Sequence, residues 1–554
     1  MNDFLLHKIT LSSIIFKLMN NADQIGVAYS YKREKNYYFL PNTIKNLSIV
    51  KQLAIKFGDD KQELSKIEKW IAKIKDFEQE AHLKTVEGSN LQVSNLRKYQ
   101  QEDLKKIIGN NFIALFNEPR TGKTPTTLEW LKHKDCDKII VICPKSLQNL
   151  VWVEEIKKWY PTLKIYQVID NEGNVFPKNQ RLKYINNFFS KNISSGILII
   201  SKDTFKTCYK DIVYAPDQKI AGVIDEAHWL RNNKTKQSAT LQSKAVMHLR
   251  KHLSYAIILT GTPVVNHNSD LFGQLSFLYP KRFDNYWSFI SYFWEIDFFK
   301  NPSKFFRDAK DEKITPLQEE FNKLVEPLFI RRLRKSVMTW LPIVEKKQFF
   351  LPLDKTQLQK EVSLKMQYKN SLHGSDKRLG LLIQMRLNAI IGQGKQSAKI
   401  KWLCDFSKHI EDNEQIIVYS SFSHKVIPFI EAALHDTKIS FATLIGDTKL
   451  QERTKIVESF RNKKFKVLLC NIQVAKEGLT LENAAYSIFF DRSYNPADNS
   501  QAEARFLPIE QGNNDDKIVI DLISINSIEE KIHKLLDKKY LITQHLLEDE
   551  LNLL

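Results

Sequence analysis

Residues suited to phosphate chemistry occur together near position 122. Gly122, Lys123 and Thr124 follow an apolar run at residues 113–116 and precede a segment with helical character. A tight turn from a strand into a helix aims backbone N–H groups and the positive end of the helix at a phosphate chain. At such a turn Lys123 would reach the β- and γ-phosphates of a nucleotide, and Thr124 would hold Mg²⁺. The pattern therefore predicts a phosphate-binding loop.

The motif is incomplete, and a second interpretation stays open at this point. The full phosphate-loop motif is G-x-x-x-x-G-K-[ST], and Asn117 stands where its first glycine is expected. Gly-Lys-Thr is also a common tripeptide, so an ordinary surface loop is the alternative. Residues elsewhere in the chain have to decide between these two interpretations.

A pair of adjacent acids supports the phosphate-loop interpretation. Residues 221–224 form an apolar run that ends in Asp225 and Glu226. Asp225 can take a Mg²⁺-bound water, while Glu226 can polarise the water that attacks a γ-phosphate. Upstream of the loop, Gln100 follows an aromatic residue, and its amide can donate to and accept from an adenine edge at once. Taken together, these residues predict ATP and Mg²⁺ as the cofactors.

The elements that must position these groups are predicted from apolar runs. Such runs, each followed by polar groups, occur at residues 113–116, 138–143, 196–200, 221–224 and 256–259. Helical segments lie between them. Strands that alternate with helices and carry polar groups at their C-terminal ends are typical of a doubly wound, parallel α/β sheet.

Length and charge narrow the class of protein further. A chain of 554 residues has room for about three to four domains. Its 83 basic and 64 acidic residues give a formal net charge of +19, which suits a polyanionic partner such as nucleic acid. The abundance of Lys, Asn and Ile is also what an AT-rich genome favours, so mutational bias is an alternative source of the basicity.

The sequence lacks the usual signs of export. It has no run of about 18 apolar residues, and residues 1–8 contain an early acid and a broken apolar run. The five cysteines are scattered without a C-x-x-C pair, which fits reduced thiols rather than a disulfide or zinc framework. We therefore expect no membrane span, and a cytoplasmic protein, or one associated with a nucleoid or virion, that is not secreted.

Several further segments occur in a characteristic order. In the first half these are Leu-Arg-Lys-Tyr-Gln at 96–100, Pro-Lys-Ser-Leu at 144–147 followed by Trp152, Asp-Glu-Ala-His-Trp-Leu-Arg-Asn at 225–232, and Leu-Thr-Gly-Thr-Pro-Val-Val-Asn at 259–266. Later segments lie at 328–333, 341–342, 415–420, 445–448, 477–481 and 501–505. From residue 96 to residue 535 the chain thereby resembles the Swi/Snf family of ATP-dependent DNA translocases, within helicase superfamily two.

The resemblance implies an α/β fold with two RecA-like, doubly wound parallel-sheet domains, a helical insertion and a small N-terminal accessory module. The implied domains are an accessory module at 1–92, an ATP-binding domain at 93–280, a helical insertion and brace at 281–395, and a C-terminal helicase domain at 396–545. Within the module, residues 25–31 and 36–40 predict two short strands, and residues 44–83 predict a lysine-rich helical stretch. The module could contact a substrate or partner, or serve as a structural cap.

The insertion begins with an aromatic cluster between residues 283 and 294. Aromatic side chains interleaved with lysine can stack on bases. Aromatic residues at helical spacing more often form a core, which is the alternative interpretation. In the family this region forms helical protrusions that grip duplex DNA.

The resemblance also implies roles for individual residues. Those implied to bind nucleotide are Gln100, Pro119, Arg120, Thr121, Gly122, Lys123, Thr124 and Gln501. Those implied to act in catalysis are Lys123, Asp225, Glu226 and Arg505, with Thr124 and Asp225 at the metal. Those implied to contact DNA are Lys145, Ser146, Thr260, Gly478 and Thr480. The implied partner is double-stranded DNA, and the implied machine is a monomeric motor with ATP in a cleft between its two RecA-like domains.

Two departures from the family pattern bear on the rate of hydrolysis. Arg120 replaces a glycine that is usual in the phosphate loop, and Pro508 stands where a second arginine is expected in the 501–511 segment. Leu507 occupies the histidine position, whereas Arg505 is retained. An arginine offered to the transition state contributes about 10³–10⁵ in rate. We therefore expect slow hydrolysis, unless Arg492 or Arg120 compensates.

Three functions follow from these patterns. The first is an ATP-driven translocase or remodelling motor on double-stranded DNA. The second is a strand-separating DNA helicase, although no wedge segment is evident in the sequence. The third is a nucleotide-gated DNA-binding clamp with weak hydrolysis, which the proline at 508 favours.

Overall fold

The computed structural model describes most of the chain from residue 95 to residue 547. The gaps within this range are 170–173, 234–238, 266–267, 285, 287–288, 290–323, 339, 372–375, 393, 395–396, 476–479 and 509–515, and only scattered positions are described before residue 95. The chain divides into two compact units, Met1–Arg332 with Ile542–Leu554, and Leu333–Leu541. The predicted DNA residue Gly478 and most of the predicted helical stretch at 44–83 lie outside the described residues.

Two short strands mark the N-terminal part of the chain. β1 (Ser30–Lys32) pairs antiparallel with β2 (Tyr37–Phe39). The prediction of two short strands around a charged turn is therefore confirmed.

The first unit contains a seven-stranded sheet with helices between its strands. Its main elements are α1 (Lys98–Ile107), β3 (Phe112–Leu115), α2 (Lys123–Lys132), β4 (Lys138–Cys143), a π-helical turn (Gln148–Val153), α3 (Glu154–Trp159), β5 (Ile165–Gln167), α4 (Lys178–Phe188), β6 (Gly196–Ser201), α5 (Lys202–Phe205), β7 (Ile220–Ile224), a 3₁₀ turn (Ala227–Asn232), α6 (Leu241–Leu249), β8 (Tyr255–Leu259), α7 (Leu271–Leu278) and β9 (Phe329–Ile330). The strand order is β5-β6-β4-β7-β8-β3-β9, and every pair is parallel.

Both faces of this sheet are buried, which explains its continuous apolar strands. All six residues of β4 are buried, as are all six of β6. Successive side chains of a strand point to opposite faces. Accordingly Ile140 and Ile142 belong to one apolar cluster, while Ile139 and Val141 belong to the cluster on the other face.

The aromatic residues near 283 belong in part to this core. Phe283, Tyr286 and Phe289 are buried and pack in the same cluster as β4 residues Ile140 and Ile142. For these three residues the core interpretation is confirmed, and the remaining aromatic residues up to 294 lie outside the described residues.

The second unit contains a six-stranded sheet. Its main elements are α8 (Arg334–Val337), β10 (Val344–Leu351), α9 (Lys355–Asn370), α10 (Asp376–Ile391), α11 (Ala398–His409), β11 (Ile416–Ser420), α12 (Ile427–Asp436), β12 (Phe441–Leu444), α13 (Leu450–Arg461), β13 (Val467–Asn471), α14 (Ile472–Ala475), β14 (Tyr486–Phe489), α15 (Pro496–Ala504), β15 (Lys517–Ser524) and α16 (Ile528–Leu547). The strand order is β10-β15-β14-β11-β13-β12, again with parallel pairs.

One strand of this sheet lies inside the segment predicted as a helical insertion. β10 pairs with β15 along its full length, from Val344 opposite Lys517 to Leu351 opposite Ser524. β10 is an edge strand, and its charged, largely exposed residues hide the apolar alternation by which strands are recognised. The two helices that follow it, α9 and α10, agree with the predicted helical character.

A buried lysine joins three elements of the second unit. Lys399, near the start of α11, is 1% exposed, and its Nζ donates to the carbonyl oxygens of Phe490 at 2.6 Å and Leu522 at 2.7 Å. Its third donor reaches the Glu529 carboxylate of α16 at 2.7 Å. All three donors of the ammonium group are therefore used.

None of the helices within the described residues is long and apolar enough to cross a membrane. All five cysteines are free thiols. Burial raises the pKa of Cys143 well above its usual value, and the nearby Asp225 carboxylate adds to the effect. Cys143 is therefore protonated and weakly reactive.

We expect Lys399→Met to destabilise the second unit by about 3–5 kcal/mol, because Glu529 would remain buried without its charge partner. Differential scanning calorimetry of the full chain measures the effect, and hydrogen exchange of β14 and β15 peptides locates it. Lys401→Met, on the exposed face of the same helix, serves as the control. Equal thermal stability of the two variants would contradict the assignment.

Candidate nucleotide-binding site

Three parallel strands of the first unit end at the same level, and this places the predicted residues together. Leu115 of β3 lies opposite Leu259 of β8, and Ile258 of β8 lies opposite Ile224 of β7. The segment 117–122, Thr260 and Asp225 therefore all follow the carboxyl ends of neighbouring strands. Ligands of open α/β sheets bind at this edge.

The phosphate loop contains two residues in the left-handed region. Gly122 has φ 78° and caps the N-terminus of α2, while Arg120 has φ 68°. A Cβ atom on residue 122 would lie 1.9 Å from the Gln100 Nε2 atom, so a side chain there would displace the Gln100 amide, and the left-handed φ itself favours glycine. Arg120 adopts the left-handed conformation that glycine adopts most readily, at a cost of about 1–2 kcal/mol.

Gln100 fastens the beginning of α1 to this loop. Its Nε2 donates to the Thr121 carbonyl oxygen at 3.1 Å, and its Oε1 accepts the Arg97 N–H at 2.9 Å. The Tyr99 hydroxyl donates to the same Thr121 oxygen at 2.9 Å. The residue predicted to read adenine is therefore next to the loop, with its amide engaged by the loop backbone.

Lys123 lies within the curve of the loop. Its Nζ donates to the carbonyl oxygens of Asn117 at 2.8 Å and Glu118 at 3.2 Å. The hydroxyls of Thr126 and Thr127 donate to carbonyl oxygens one turn earlier in α2, at 3.1 and 2.9 Å. Thr124, at the start of α2, is half-buried beside Lys123.

Asn117, at the position of the missing glycine, has a structural partner of its own. Its Nδ2 donates to Asp103 Oδ2 at 3.1 Å, and Asp103 Oδ1 accepts from Arg332 Nε at 2.8 Å. Asp103 is fully buried, so burial raises its pKa, while the Arg332 charge opposes the rise. The side chain thus ties the start of the loop to α1 and to the residues after β9, a role that the sequence motif did not indicate.

Asp225 is held on several sides. Its backbone N–H donates to the Ile142 carbonyl oxygen at 2.8 Å, at the end of β4. Its Oδ2 accepts the Trp152 indole N–H at 2.9 Å, and its Oδ1 accepts the Glu226 N–H at 2.8 Å. Burial and the neighbouring Glu226 charge raise the pKa of Asp225 to about 6, against the effects of Trp152 and Lys123.

The residues present fit a Mg²⁺ ion. Mg²⁺ in nucleotide sites takes one or two protein oxygens together with phosphate oxygens and waters. Asp225 supplies a carboxylate oxygen and Thr124 a hydroxyl oxygen, both of the hard type that Mg²⁺ prefers. The Lys123 charge lowers the pKa of Asp225.

Glu226 adopts a left-handed conformation with φ 49°, which is uncommon outside glycine and clusters at functional sites. Its Oε2 lies 3.3 Å from His228 Nδ1, and the same nitrogen lies 3.5 Å from Thr260 Oγ1. His228 therefore links the carboxylate of Glu226, the predicted catalytic residue, to the end of β8. In the sequence, His228 is one residue of the 225–232 motif and has no predicted role of its own.

The other predicted residues of the first unit occupy varied environments. Pro119 lies against Gly261, where an added Cβ would be 2.7 Å from its Cδ. Lys145 is exposed and Ser146 half-buried, just after β4. Thr260, a predicted DNA contact, is fully buried, and its hydroxyl accepts the Thr262 N–H at 3.2 Å.

In the second unit the predicted residues lie on and just after α15. Gln501 is buried on that helix, and Arg505 caps its end in a half-buried position. The Arg505 carbonyl oxygen accepts the Leu481 N–H at 2.9 Å, next to Thr480. Leu507 and Pro508 are buried, so an arginine at 508 would place a charge in the apolar interior.

Arg492 is committed to two carboxylates of its own unit. Its Nε and Nη2 donate to both oxygens of Asp521, at 2.6 and 3.1 Å, and its Nη1 donates to Glu503. Burial alone would lower the pKa of Arg492, but these two charges raise it. The guanidinium is 8% exposed and lies 3.5 Å from the centre of the Phe489 ring. Arg492 therefore neutralises two carboxylates of its own unit.

Comparison with known families agrees with this arrangement. The SNF2-related domain matches residues 23–400, which is more than half of the chain, and the helicase conserved C-terminal domain matches residues 398–507. The chain belongs to the SNF2-related family. Its two parallel-sheet α/β units have the architecture expected of the RecA-like domains in this family.

Individual relatives of this SNF2-related chain are distant. "ATP-dependent helicase fft1" of Schizosaccharomyces pombe is 23% identical, with 82% of this chain and 53% of that protein covered. "Transcription regulatory protein SNF2" of Saccharomyces cerevisiae is 25% identical over 79% of this chain and 27% of that protein. "Uncharacterized ATP-dependent helicase MG018" of Mycoplasma genitalium is 25% identical over 84% and 43%. The chain thus spans about half of these relatives' length or less.

Among solved structures, the chain is similar to the "Sulfolobus solfataricus SWI2/SNF2 ATPase core in complex with dsDNA". The two are 24% identical, with a TM-score of 0.37, and the match covers 84% of this chain and 95% of that chain.

We expect Glu503→Gln to destabilise the second unit by about 3 kcal/mol at neutral pH, because the buried Arg492 would lose one of its two charge partners. Burial opposes ionisation of Glu503, but Arg492 and Lys346 lower its pKa to about 2, below its usual value of 4.5. The stabilisation is therefore complete above pH 4.5 and declines as the pH falls towards 2. Chemical denaturation at a series of pH values measures it.

The matched control is Glu458→Gln, on the exposed face of α13. This variant should unfold like the parent protein throughout the pH series. If the stability gap between parent and Glu503→Gln stayed constant below pH 4.5, the ion pair would not be its source.

Proposed function

We propose that this SNF2-related chain is a DNA-dependent ATPase that acts as a translocase on double-stranded DNA. The observation that carries the proposal is the convergence of the Lys123 loop, Asp225 and Glu226 at the carboxyl edge of one parallel sheet. A phosphate loop and a pair of acids at level strand ends form the arrangement that nucleotide hydrolysis requires.

Each residue of the first unit has a definite chemical task in this proposal. The Lys123 ammonium exchanges its carbonyl partners, Asn117 and Glu118, for β- and γ-phosphate oxygens. Thr124 and Asp225 hold Mg²⁺, which neutralises phosphate charge when it is bound. Glu226, positioned through His228, orients the attacking water and accepts its proton.

The second unit contributes Arg505 to the developing charge on the phosphates. Arg492 already neutralises two carboxylates, and Leu507 and Pro508 are directed to the interior. The transition state therefore depends on one arginine where the family pattern provides two. Hydrolysis is accordingly slow and depends on DNA.

Double-stranded DNA is the proposed partner for three reasons. The net charge of +19 favours a polyanion, since contacts to phosphates release counterions. Lys145 and Ser146 lie at the same edge of the sheet as the nucleotide residues, just after β4. Relatives of the chain are named as ATP-dependent helicases, and the similar solved structure is a complex with double-stranded DNA.

Two alternatives differ from the translocase in measurable ways. A strand-separating helicase, which the names of the relatives favour, would unwind a forked duplex. A translocase would displace a triplex strand without unwinding the fork. A nucleotide-gated clamp, which the buried Pro508 favours, would bind DNA in an ATP-dependent way without sustained phosphate release.

We expect phosphate release to be stimulated more by duplex DNA than by single-stranded DNA, RNA or no polymer, and DNA binding to weaken steeply with salt. Lys123→Ala should abolish hydrolysis, since it removes the charge facing the phosphates. Glu226→Gln should bind ATP but not hydrolyse it, because an amide cannot accept the proton. A steady-state phosphate assay and equilibrium nucleotide binding measure both effects. Stimulation by RNA alone, or normal turnover in Lys123→Ala, would refute the proposal.

We expect Arg505→Ala to lower kcat by about 10³-fold or more, with a much smaller change in ATP affinity, because the arginine acts mainly in the transition state. Arg378→Ala is the control, since this arginine of α10 lies over the Tyr368 ring and has no proposed role in chemistry. Single-turnover kinetics separates the chemical step from binding. Parental kcat in Arg505→Ala would show that another residue stabilises the transition state.

A further inference from the structure

The segment after β4 contains an irregular helical turn. Residues Gln148–Val153 form a π-helical turn that continues directly into α3. π-Helical turns are rare and frequent at functional sites, because the extra residue redirects the side chains that follow. Here the turn carries Trp152, which is fully buried.

Asp225 is held at both ends of the stretch from Ile142 to Trp152. The Ile142 carbonyl oxygen, just before the segment, accepts the Asp225 N–H at 2.8 Å. The Trp152 indole N–H, within the segment, donates to Asp225 Oδ2 at 2.9 Å. Between these two points lie the exposed Lys145 and the half-buried Ser146. Backbone and carboxylate of Asp225 are thus both attached to the stretch that carries the proposed DNA residues.

The geometry fixes the rotation of the Asp225 side chain. One carboxylate oxygen accepts from the Glu226 N–H and the other from Trp152, so each oxygen has a defined direction. The indole is a rigid donor, with only two side-chain torsions. It packs in the apolar cluster that contains Leu147 and Ile156, so it cannot shift unless the segment shifts with it.

We propose that Trp152 is a positioning residue that orients Asp225 for Mg²⁺–nucleotide binding and makes this orientation depend on the Lys145–Ser146 turn. The inference rests on the proposed function and deepens it. It states how DNA contact at the turn is communicated to the nucleotide within the first unit. Asp225 is the group that contacts the metal, and Trp152 acts only through it.

The test replaces the indole N–H in the full chain. Trp152→Phe removes the donor, and β-(3-benzothienyl)alanine at position 152 keeps the bicyclic shape with sulfur in place of the N–H. Binding of a fluorescent ATP analogue is titrated with Mg²⁺ and repeated in EDTA, and phosphate release is measured with and without duplex DNA. The benzothienyl variant decides the outcome if the phenylalanine variant fails to fold.

Loss of a hydrogen bond to a metal-binding carboxylate costs about 10–100-fold in metal affinity or activity. We therefore expect the Mg²⁺ concentration for half-maximal nucleotide binding to rise by about 10-fold or more, with metal-free nucleotide binding unchanged. Excess Mg²⁺ should restore the rate without DNA, whereas stimulation by DNA should stay reduced. If Trp152 had a purely structural role, neither the Mg²⁺ concentration for half-maximal binding nor the stimulation by DNA would change.

Trp159→Phe is the matched control, because Trp159 ends the same segment and packs at the edge of the same cluster. It should keep the Mg²⁺ dependence and the DNA stimulation of the parent. Parental Mg²⁺ dependence in the benzothienyl variant would overturn the positioning role. A raised Mg²⁺ requirement together with parental DNA stimulation would overturn the link to the Lys145–Ser146 turn. A parent protein that lacks DNA-stimulated hydrolysis would overturn the proposed function instead.

Discussion

The register of three parallel strands is the constraint on which the nucleotide site depends. β3, β8 and β7 are hydrogen-bonded so that Leu115, Leu259 and Ile224 end at nearly the same level. Each strand contributes one polar element, so groups more than a hundred residues apart in the chain become neighbours. A shift of one residue in this register would turn the strands' side chains to the opposite face and separate these groups. The apolar clusters on both faces of the sheet oppose such a shift.

Three buried cations of the second unit are paired with carboxylates of the same unit. Arg492, Lys399 and Arg386 are all buried, and each has a carboxylate partner, in Asp521, Glu529 and Asp491 respectively. Breaking such pairs is costly because an unpaired charge would stay in a medium of low dielectric constant. These three cations are therefore already engaged by carboxylates and are not available to a bound phosphate. In the proposed mechanism, the dependence on Arg505 therefore follows from the packing of its unit as well as from the substitution at position 508.

The sequence predicted the two parallel sheets, and it placed the predicted phosphate loop and acid pair directly after strands, because each follows from a local pattern of apolar and polar residues. It did not predict the partners of Asn117, His228 or Trp152, which form through side chains that meet only after the sheet is assembled. Trp152 and Asp225, for example, are 73 positions apart in the sequence. β10 was not predicted, because an edge strand carries charged residues where a central strand is apolar. Local sequence patterns thus predict individual strands and helices, whereas the side-chain contacts between them depend on the register of the strands in the sheet.

The amide of Gln100 has consequences for the choice of base. Its two N–H donors are directed at the carbonyl oxygens of Thr121 and Gly122, and its oxygen accepts the Arg97 N–H. If Gln100 reads adenine as predicted, the base competes with the loop backbone for these same groups, so recognition of the base and release of the loop are one exchange. Selectivity between nucleotides is then expressed in how readily the loop changes shape, and not only in how tightly the base is held.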